Sequence, residues 1–149
     1  MSVNDTATGA WIRLLKAHNL ILREARTRLA ERCSMPQFDI LAQLSREKNG
    51  TPLIELSRRL LVTAGNITGI IDRMEKSGLV ARKADPEDRR ITRVHLTAKG
   101  KQLAKSVIPE HTRDLNSLFD SLNEKEMAQL RALLDKLIEG LEHADAGNV

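Results

Sequence analysis

The chemistry this sequence offers is concentrated in two short runs. Gly65-Asn66-Ile67-Thr68-Gly69, with Asp72 and Arg73, comes first, and Asp88-Arg89-Arg90 follows fifteen residues after Arg73. An asparagine amide matches the donor and acceptor of an adenine edge, and a threonine hydroxyl reaches a base or a phosphate. Two glycines on one exposed face of a short helix weaken it by about 1 kcal/mol each, so close approach of a partner is the better reason for them. Arginines at a loop tip suit a narrow minor groove, where negative potential is concentrated. Asp88 stands where it can orient one of them.

The signatures of catalysis are missing. The sequence has no Gly-x-Ser-x-Gly elbow, no Gly-x4-Gly-Lys phosphate loop and no His-Glu-x-x-His helix. His111 and Asp114, three apart on a helix, form only a two-ligand set, so no metal, cofactor or catalytic residue is assigned. Cys33 is the one cysteine; it excludes an internal disulfide and a Cys-rich zinc site and reads as a buried, inert thiol. His95 reads as wing surface.

The elements that must hold the two runs are legible as periodicities. Trp11, Leu15, His18, Leu22, Ala25 and Leu29 form one stripe on a helix from about Ala7 to Arg32. Ser34-Met35-Pro36-Gln37 starts a second helix with a capping box, and Phe38, Leu41 and Leu44 face its core. Thr51-Pro52 reads as the start of a third, with Ile54, Leu56, Leu60 and Leu61 on its apolar side. Thr63 is expected to cap a fourth over Ala64 to Lys76, which buries Ile67, Ile70, Ile71 and Met74 and ends at Gly78. The period then shortens: Leu79 to Ala84 and Thr92 to Leu96 read as strands around a charged loop, with Thr92, Val94 and Leu96 inward and Arg93 and His95 outward. Thr97 caps a fifth helix reaching about Leu122, with Pro109 inside it. Asn123 to Glu126 is a capping box for a sixth, where Met127, Leu130, Leu134, Leu137 and Leu141 form a seam that wants a partner helix.

Helix, short turn, helix, hairpin is the order of a winged helix-turn-helix. The fold class is therefore mainly α with a small β-hairpin. The reading is a single domain over residues 1–149: a winged DNA-binding part at about 34–100, flanked by helices at about 7–32 and 101–143. Thr63, Gly65, Asn66, Thr68, Gly69 and Arg73 of the fourth helix are the candidates for the major groove, and Asp88, Arg89 and Arg90 for the wing. Charge agrees with a polyanion contact in the middle of the chain. Residues 1–50 carry eight basic and five acidic side chains, residues 51–100 ten and six, and residues 101–149 six and nine. Trp11, Phe38 and Phe119 are the only aromatics, too few for base stacking, which favours duplex DNA over single strands or RNA.

At these residues the chain resembles the MarR family of bacterial winged-helix transcription regulators. The resemblance is carried by Leu56-Ser57-Arg58-Arg59-Leu60, Gly65 to Glu75, Gly78-Leu79-Val80-Ala81-Arg82, the loop Asp85-Pro86-Glu87-Asp88-Arg89-Arg90, and Leu96-Thr97-Ala98-Lys99-Gly100. It implies a homodimer built on the first, fifth and sixth helices, so that about 7–32 and 101–143 are dimerisation helices, binding to a palindromic operator in double-stranded DNA, and usually repression. It also implies a small-molecule effector, often a phenolic or aromatic acid, lodged between the dimer helices and the winged part. Asp88 and Arg90 match the family's wing Asp-x-Arg, whose arginine enters the minor groove, and Arg82 matches a position that can brace the wing Asp. Gly69 stands where many relatives carry a larger, often basic residue.

The stripe of the first helix should border such an effector, so Trp11, His18 and Phe38 are candidate contacts. Arg23 and Arg26, with Arg28 and Arg32 beyond them, could turn inward to hold an aromatic carboxylate or its coenzyme A thioester. The alternatives are a winged helix used only for protein contacts and a ligand-dependent activator. Met1 to Gly9 has no signal-peptide character, and no apolar run approaches the roughly 18 residues of a membrane span. The expected place is the bacterial cytoplasm, on the nucleoid when DNA is bound, with no membrane partner.

Overall fold

A computed structural model of the chain describes residues 6–60 and 66–146. The order of elements is α1 (Ala7–Leu29), α2 (Met35–Leu44), β1 (Thr51–Pro52), α3 (Leu53–Arg59), α4 (Ile67–Lys76), β2 (Val80–Ala84), β3 (Thr92–Leu96), α5 (Ala98–Leu118) and α6 (Glu124–Ala146). Two compact units divide between Leu115 and Asn116. Among the described residues no helix is long and apolar enough to cross a membrane.

The core of the first unit gathers one face of each element. Leu29 of α1, Ile40 and Leu41 of α2, Leu56 of α3, Ile71 and Met74 of α4, Val80 and Val94 of the strands and Val107 of α5 are all closed to water. Each such side chain contributes about 1.5–3 kcal/mol of burial. Local chemistry sets the ends. Ser34 Oγ accepts the N–H of Gln37 at 3.3 Å while the Gln37 side chain accepts the N–H of Ser34 at 3.1 Å. Thr97 Oγ1 accepts the N–H of Gly100 at 3.0 Å to open α5. In the second unit Asn123 and Glu126 complete the expected reciprocal cap of α6, at 2.9 and 3.0 Å.

The sheet has three antiparallel strands in the order β1-β3-β2, where the sequence suggested a two-stranded hairpin. Thr51 does not cap a helix, and Pro52 precedes α3 without a side-chain capping bond. Thr51 pairs with Val94 and Pro52 with Arg93, and α3 begins after them. Proline lacks an N–H, so it fits an edge strand that asks little of the ladder. Gly50, at φ +67°, turns the chain from α2 into β1. A Cβ there would lie 2.7 Å from the His95 ring and from the Val94 carbonyl oxygen.

Other differences are smaller. α1 stops at Leu29 and α5 at Leu118, short of Arg32 and Leu122. Ile54 is 63% exposed, because α3 turns Leu53 and Leu56 to the core instead. Trp11 and Leu15, at the start of the α1 stripe, face outward, while Ala25 and Leu29 at its end are buried. Thr92 is exposed, and Arg93, expected outside, folds inward. α4 starts at Ile67 with Asn66 as its cap, three residues later than a helix capped by Thr63 would. Thr63 and Gly65 lie outside the described residues.

Candidate nucleic-acid interface

α4 is amphipathic for a simple reason: Ile67, Ile70, Ile71 and Met74 recur at helical spacing, and the last three are buried. That fixes the helix against the core and turns Asn66, Thr68, Asp72 and Arg73 to solvent. The Asn66 side chain is already engaged. Its Oδ1 accepts the N–H of Gly69 at 2.9 Å, closing the N-terminus of the helix. Gly69 is shaped to this cap: a Cβ there would lie 2.6 Å from Asn66 Nδ2. The glycine therefore has an internal reason to be small, besides the close approach expected of it. Among the described residues the bond from Gly69 is the one hydrogen bond of the Asn66 side chain.

Arg82 corrects the sequence expectation. It does not brace Asp88. From β2 its guanidinium pairs with Asp72 at 2.6 Å and Glu75 at 3.6 Å, and reaches the carbonyl oxygen of Thr68 at 3.4 Å. Its backbone N–H donates to Glu75 Oε2 at 3.2 Å. The residue thus staples α4 to the sheet and neutralises two carboxylates on the exposed side of the helix.

The wing tip is organised by two aspartates. Asp85 is buried and accepts the N–H groups of Glu87 at 2.8 Å and Asp88 at 3.1 Å, as well as the Nε–H of Arg93. The Arg93 bond, then the two backbone N–H bonds, hold the Asp85 carboxyl below the usual carboxylate range. Asp88 takes Arg90 in a fork: Nε donates to Oδ1 at 3.0 Å and Nη2 to Oδ2 at 2.9 Å. This fork lowers the Asp88 pKa and raises that of Arg90. The Arg90 side chain is 91% exposed, so its charge is oriented and still presented to solvent. Arg89 beside it is exposed too. Asp88 therefore orients Arg90, as its position suggested. The sequence places Asp85 in the wing loop and Arg93 on the wing strand but gives neither a role, since alternation along β3 assigns Arg93 a face and not a partner.

The candidate effector residues are not gathered into one cavity. Trp11, His18, Arg23 and Arg26 are exposed on α1. His18 contacts Asn19 Oδ1 at 3.3 Å, and Arg23 pairs with Glu24 at 3.5 Å. Phe38 is a core residue stacked on His111, with ring centroids 4.2 Å apart. Arg28 and Arg32 are spent on α5, at Asp114 (3.8 Å) and Glu110 (2.6 Å). His111 and Asp114 thus turn to Phe38 and Arg28, and no cluster of three metal-ligating side chains occurs among the described residues. Burial pushes the Cys33 thiol up to about 11, which keeps it protonated and unreactive.

A cavity of about 830 Å³ lies elsewhere, between the end of α2, the base of the wing and α5. Leu44, Leu96 and Ile108 supply apolar wall, and Lys48, Lys101 and Lys105 stand at its border. His95 also lines it; burial lowers its pKa, and the charges of Lys83, Arg93 and Lys101 add to that. The sequence held a trace of this site: Lys101 and Lys105, four apart, flank Ala104 on one face of α5.

A helix with a small polar exposed face, next to an arginine-tipped wing, defines a winged helix-turn-helix protein. The MarR family profile matches residues 33–92. The HTH-type transcriptional regulator MhqR of Bacillus subtilis is 31% identical over 101 residues, covering 68% of this chain and 69% of its own. A MarR family transcriptional regulator from Silicibacter pomeroyi superposes with a TM-score of 0.78 at 29% identity, over 90% of this chain and 94% of that one. Sco3205 of Streptomyces coelicolor, solved in complex with DNA, shares the fold with a TM-score of 0.81 at 21% identity, over 95% and 89% of the two chains. The chain belongs to the MarR family. It is a DNA-binding transcriptional regulator, and its relatives are regulators rather than enzymes.

Proposed function

We propose that the protein is a repressor that binds a palindromic operator as a homodimer and is released by a small amphipathic anion. The observation that carries the DNA reading is Arg90, held by Asp88 yet almost fully exposed at the tip of the wing that follows α4. A recognition helix in the major groove and an arginine in the adjoining minor groove need that arrangement. The homodimer is supported by apolar surface that a monomer leaves in water. Trp11 (59% exposed) and Ile12 stand out on α1, and Leu133 (67%), Leu137, Ile138 and Leu141 on α6. Two-fold pairing presents two copies of α4, and operators read this way space their half-sites about 34–36 Å apart.

The cavity supports the effector. Apolar walls with a lysine border suit an aromatic carboxylate, and 830 Å³ encloses one easily. A coenzyme A thioester would place its acyl end inside and leave its phosphates at the lysines.

Selection of duplexes from a random pool, followed by fluorescence anisotropy at several salt concentrations, tests the proposal. A palindromic site bound by a dimer with a steep salt slope is expected. Arg90→Ala should weaken that binding at least tenfold without changing the circular dichroism spectrum. Aromatic acids should displace the operator, and Lys101→Ala with Lys105→Ala should blunt their effect. No enriched duplex at any salt refutes the DNA reading, and an acid panel without displacement refutes the effector.

A further inference from the structure

Arg93 projects from β3 and its guanidinium is folded back across the sheet. Nε donates to Asp85, and Nη1 donates to the backbone carbonyl oxygens of Gly50 at 3.1 Å and Asn49 at 3.5 Å. One side chain therefore joins the wing loop, β3 and the turn that leads from α2 into β1. Asp85 passes the link outward. Through the N–H groups of Glu87 and Asp88 it wraps the loop that carries Arg89 and Arg90. Asp85 is buried and negative, and the Nε and Nη1 donors of Arg93 are committed to it and to the α2–β1 turn.

The backbone alone would tie this corner weakly. β1 has two residues, and Pro52 has no N–H to give to β3. A two-stranded ribbon by itself is only marginally ordered. The helix-turn-helix and the wing must nevertheless keep one spacing if α4 and Arg90 are to meet neighbouring grooves together.

We propose that Arg93 is a positioning residue for DNA binding. By clamping Asp85 to the α2–β1 turn it sets the height and angle of the wing tip and so aims Arg90 at the minor groove. The inference rests on the DNA-binding reading.

The test uses the full chain and the best selected duplex, with Arg93→Ala, Arg93→Lys and Asp85→Asn beside Arg90→Ala. Arg93→Ala should weaken operator binding roughly tenfold, and no more than Arg90→Ala does. In the Arg90→Ala background it should cost less than about twofold, because the clamp acts through Arg90. Hydroxyl-radical footprints should lose protection at the minor-groove flanks and keep it where α4 binds. Arg93→Lys keeps the charge but cannot hold Asp85 and Gly50 together, so it should resemble Arg93→Ala. Asp85→Asn, which keeps shape and removes charge, should give the same flank loss and carries the test if Arg93→Ala folds poorly. Additive losses in the double variant, or unchanged flanks, overturn the positioning role. If Arg90→Ala itself binds like the wild type, the DNA-binding reading of the wing fails first, and that result is distinct from one in which Arg90 matters and Arg93 does not.

Discussion

Replacing Asp88 with asparagine separates two effects that the wing combines. The carboxylate accepts Arg90 Nε and Nη2 at 3.0 and 2.9 Å, and the Arg90 backbone N–H at 3.0 Å. Asparagine keeps the shape and one acceptor but loses the fork, so the arginine must be ordered when DNA binds. Ordering one long side chain at an interface costs about three- to tenfold in affinity. With two wings on one operator the losses multiply to roughly 10- to 100-fold. The same substitution removes a negative charge beside phosphates, which strengthens sequence-independent binding and steepens the salt slope by about one per wing. Operator affinity should therefore fall while affinity for a scrambled duplex rises. Anisotropy on both duplexes across a salt series reads the two effects separately. If Asp88→Asn binds the operator as tightly as the wild type, with an undiminished preference over scrambled DNA, the pre-orientation argument is wrong. Acidity adds a check. Arg90 depresses the Asp88 pKa, so the fork is complete above the ordinary carboxylate range and breaks only as pH falls through the lowered value. Between pH 6 and 8 it contributes no pH dependence.

Two further predictions concern stability. His111 is buried against Phe38, its Nδ1 has no hydrogen-bond partner among the described residues, and burial lowers its pKa, partly offset by Asp114. The folded state thus prefers neutral imidazole, so this stability is complete above the unfolded pKa of about 6.5 and falls by up to about 1.4 kcal/mol per pH unit below it. His111→Leu should remove that part of the acid sensitivity and be as stable as the wild type or more so at pH 7.5. Urea unfolding at fixed protein concentration checks this, and an unchanged pH slope would refute it. Gly100, at the start of α5, has the Leu79 carbonyl oxygen 2.0 Å from where a Cβ would sit. Backbone cannot yield as a side chain can, so Gly100→Ala should lose about 2 kcal/mol net despite the roughly 1 kcal/mol that alanine gains in a helix. An unaltered thermal midpoint would show that α5 shifts freely.

What was legible in the sequence was local. The Ser34–Gln37 and Asn123–Glu126 caps are written within four residues, and the buried face of α4 within eight. Thr51-Pro52 carries the pattern of a helix start. Only Val94 and Arg93, some forty residues on, make it a strand. Thr63 reads as the cap of α4, and the bond from the Gly69 N–H makes Asn66 the cap instead. The two arginines that organise the interface were the hardest to read. Strand alternation assigns a residue to a face, yet a guanidinium on a flexible stem can reach back over the edge of the sheet. Arg82 finds Asp72 ten residues earlier, and Arg93 finds a carbonyl oxygen more than forty residues earlier.

Those pairings explain how a chain with a net charge of only +4 presents a face for a polyanion. Five carboxylates lie in or beside the two functional runs, and four of them, all but Glu87, are matched inside the module. Arg82 takes Asp72 and Glu75, Arg93 takes Asp85, and Arg90 takes Asp88. Among the described residues Arg73 and Arg89 make no ion pair, so their charge is left for the partner. Arg90 belongs to both groups, since its carboxylate steers it without covering it. A phosphate within a Debye length of about 10 Å is attracted by these arginines, while Asp72, Glu75, Asp85 and Asp88 are offset by their own partners. A composition balanced by count is thereby polarised by placement: the Arg82 and Arg93 pairs take up carboxylates within the module, and the Asp88 pair leaves Arg90 presented to solvent.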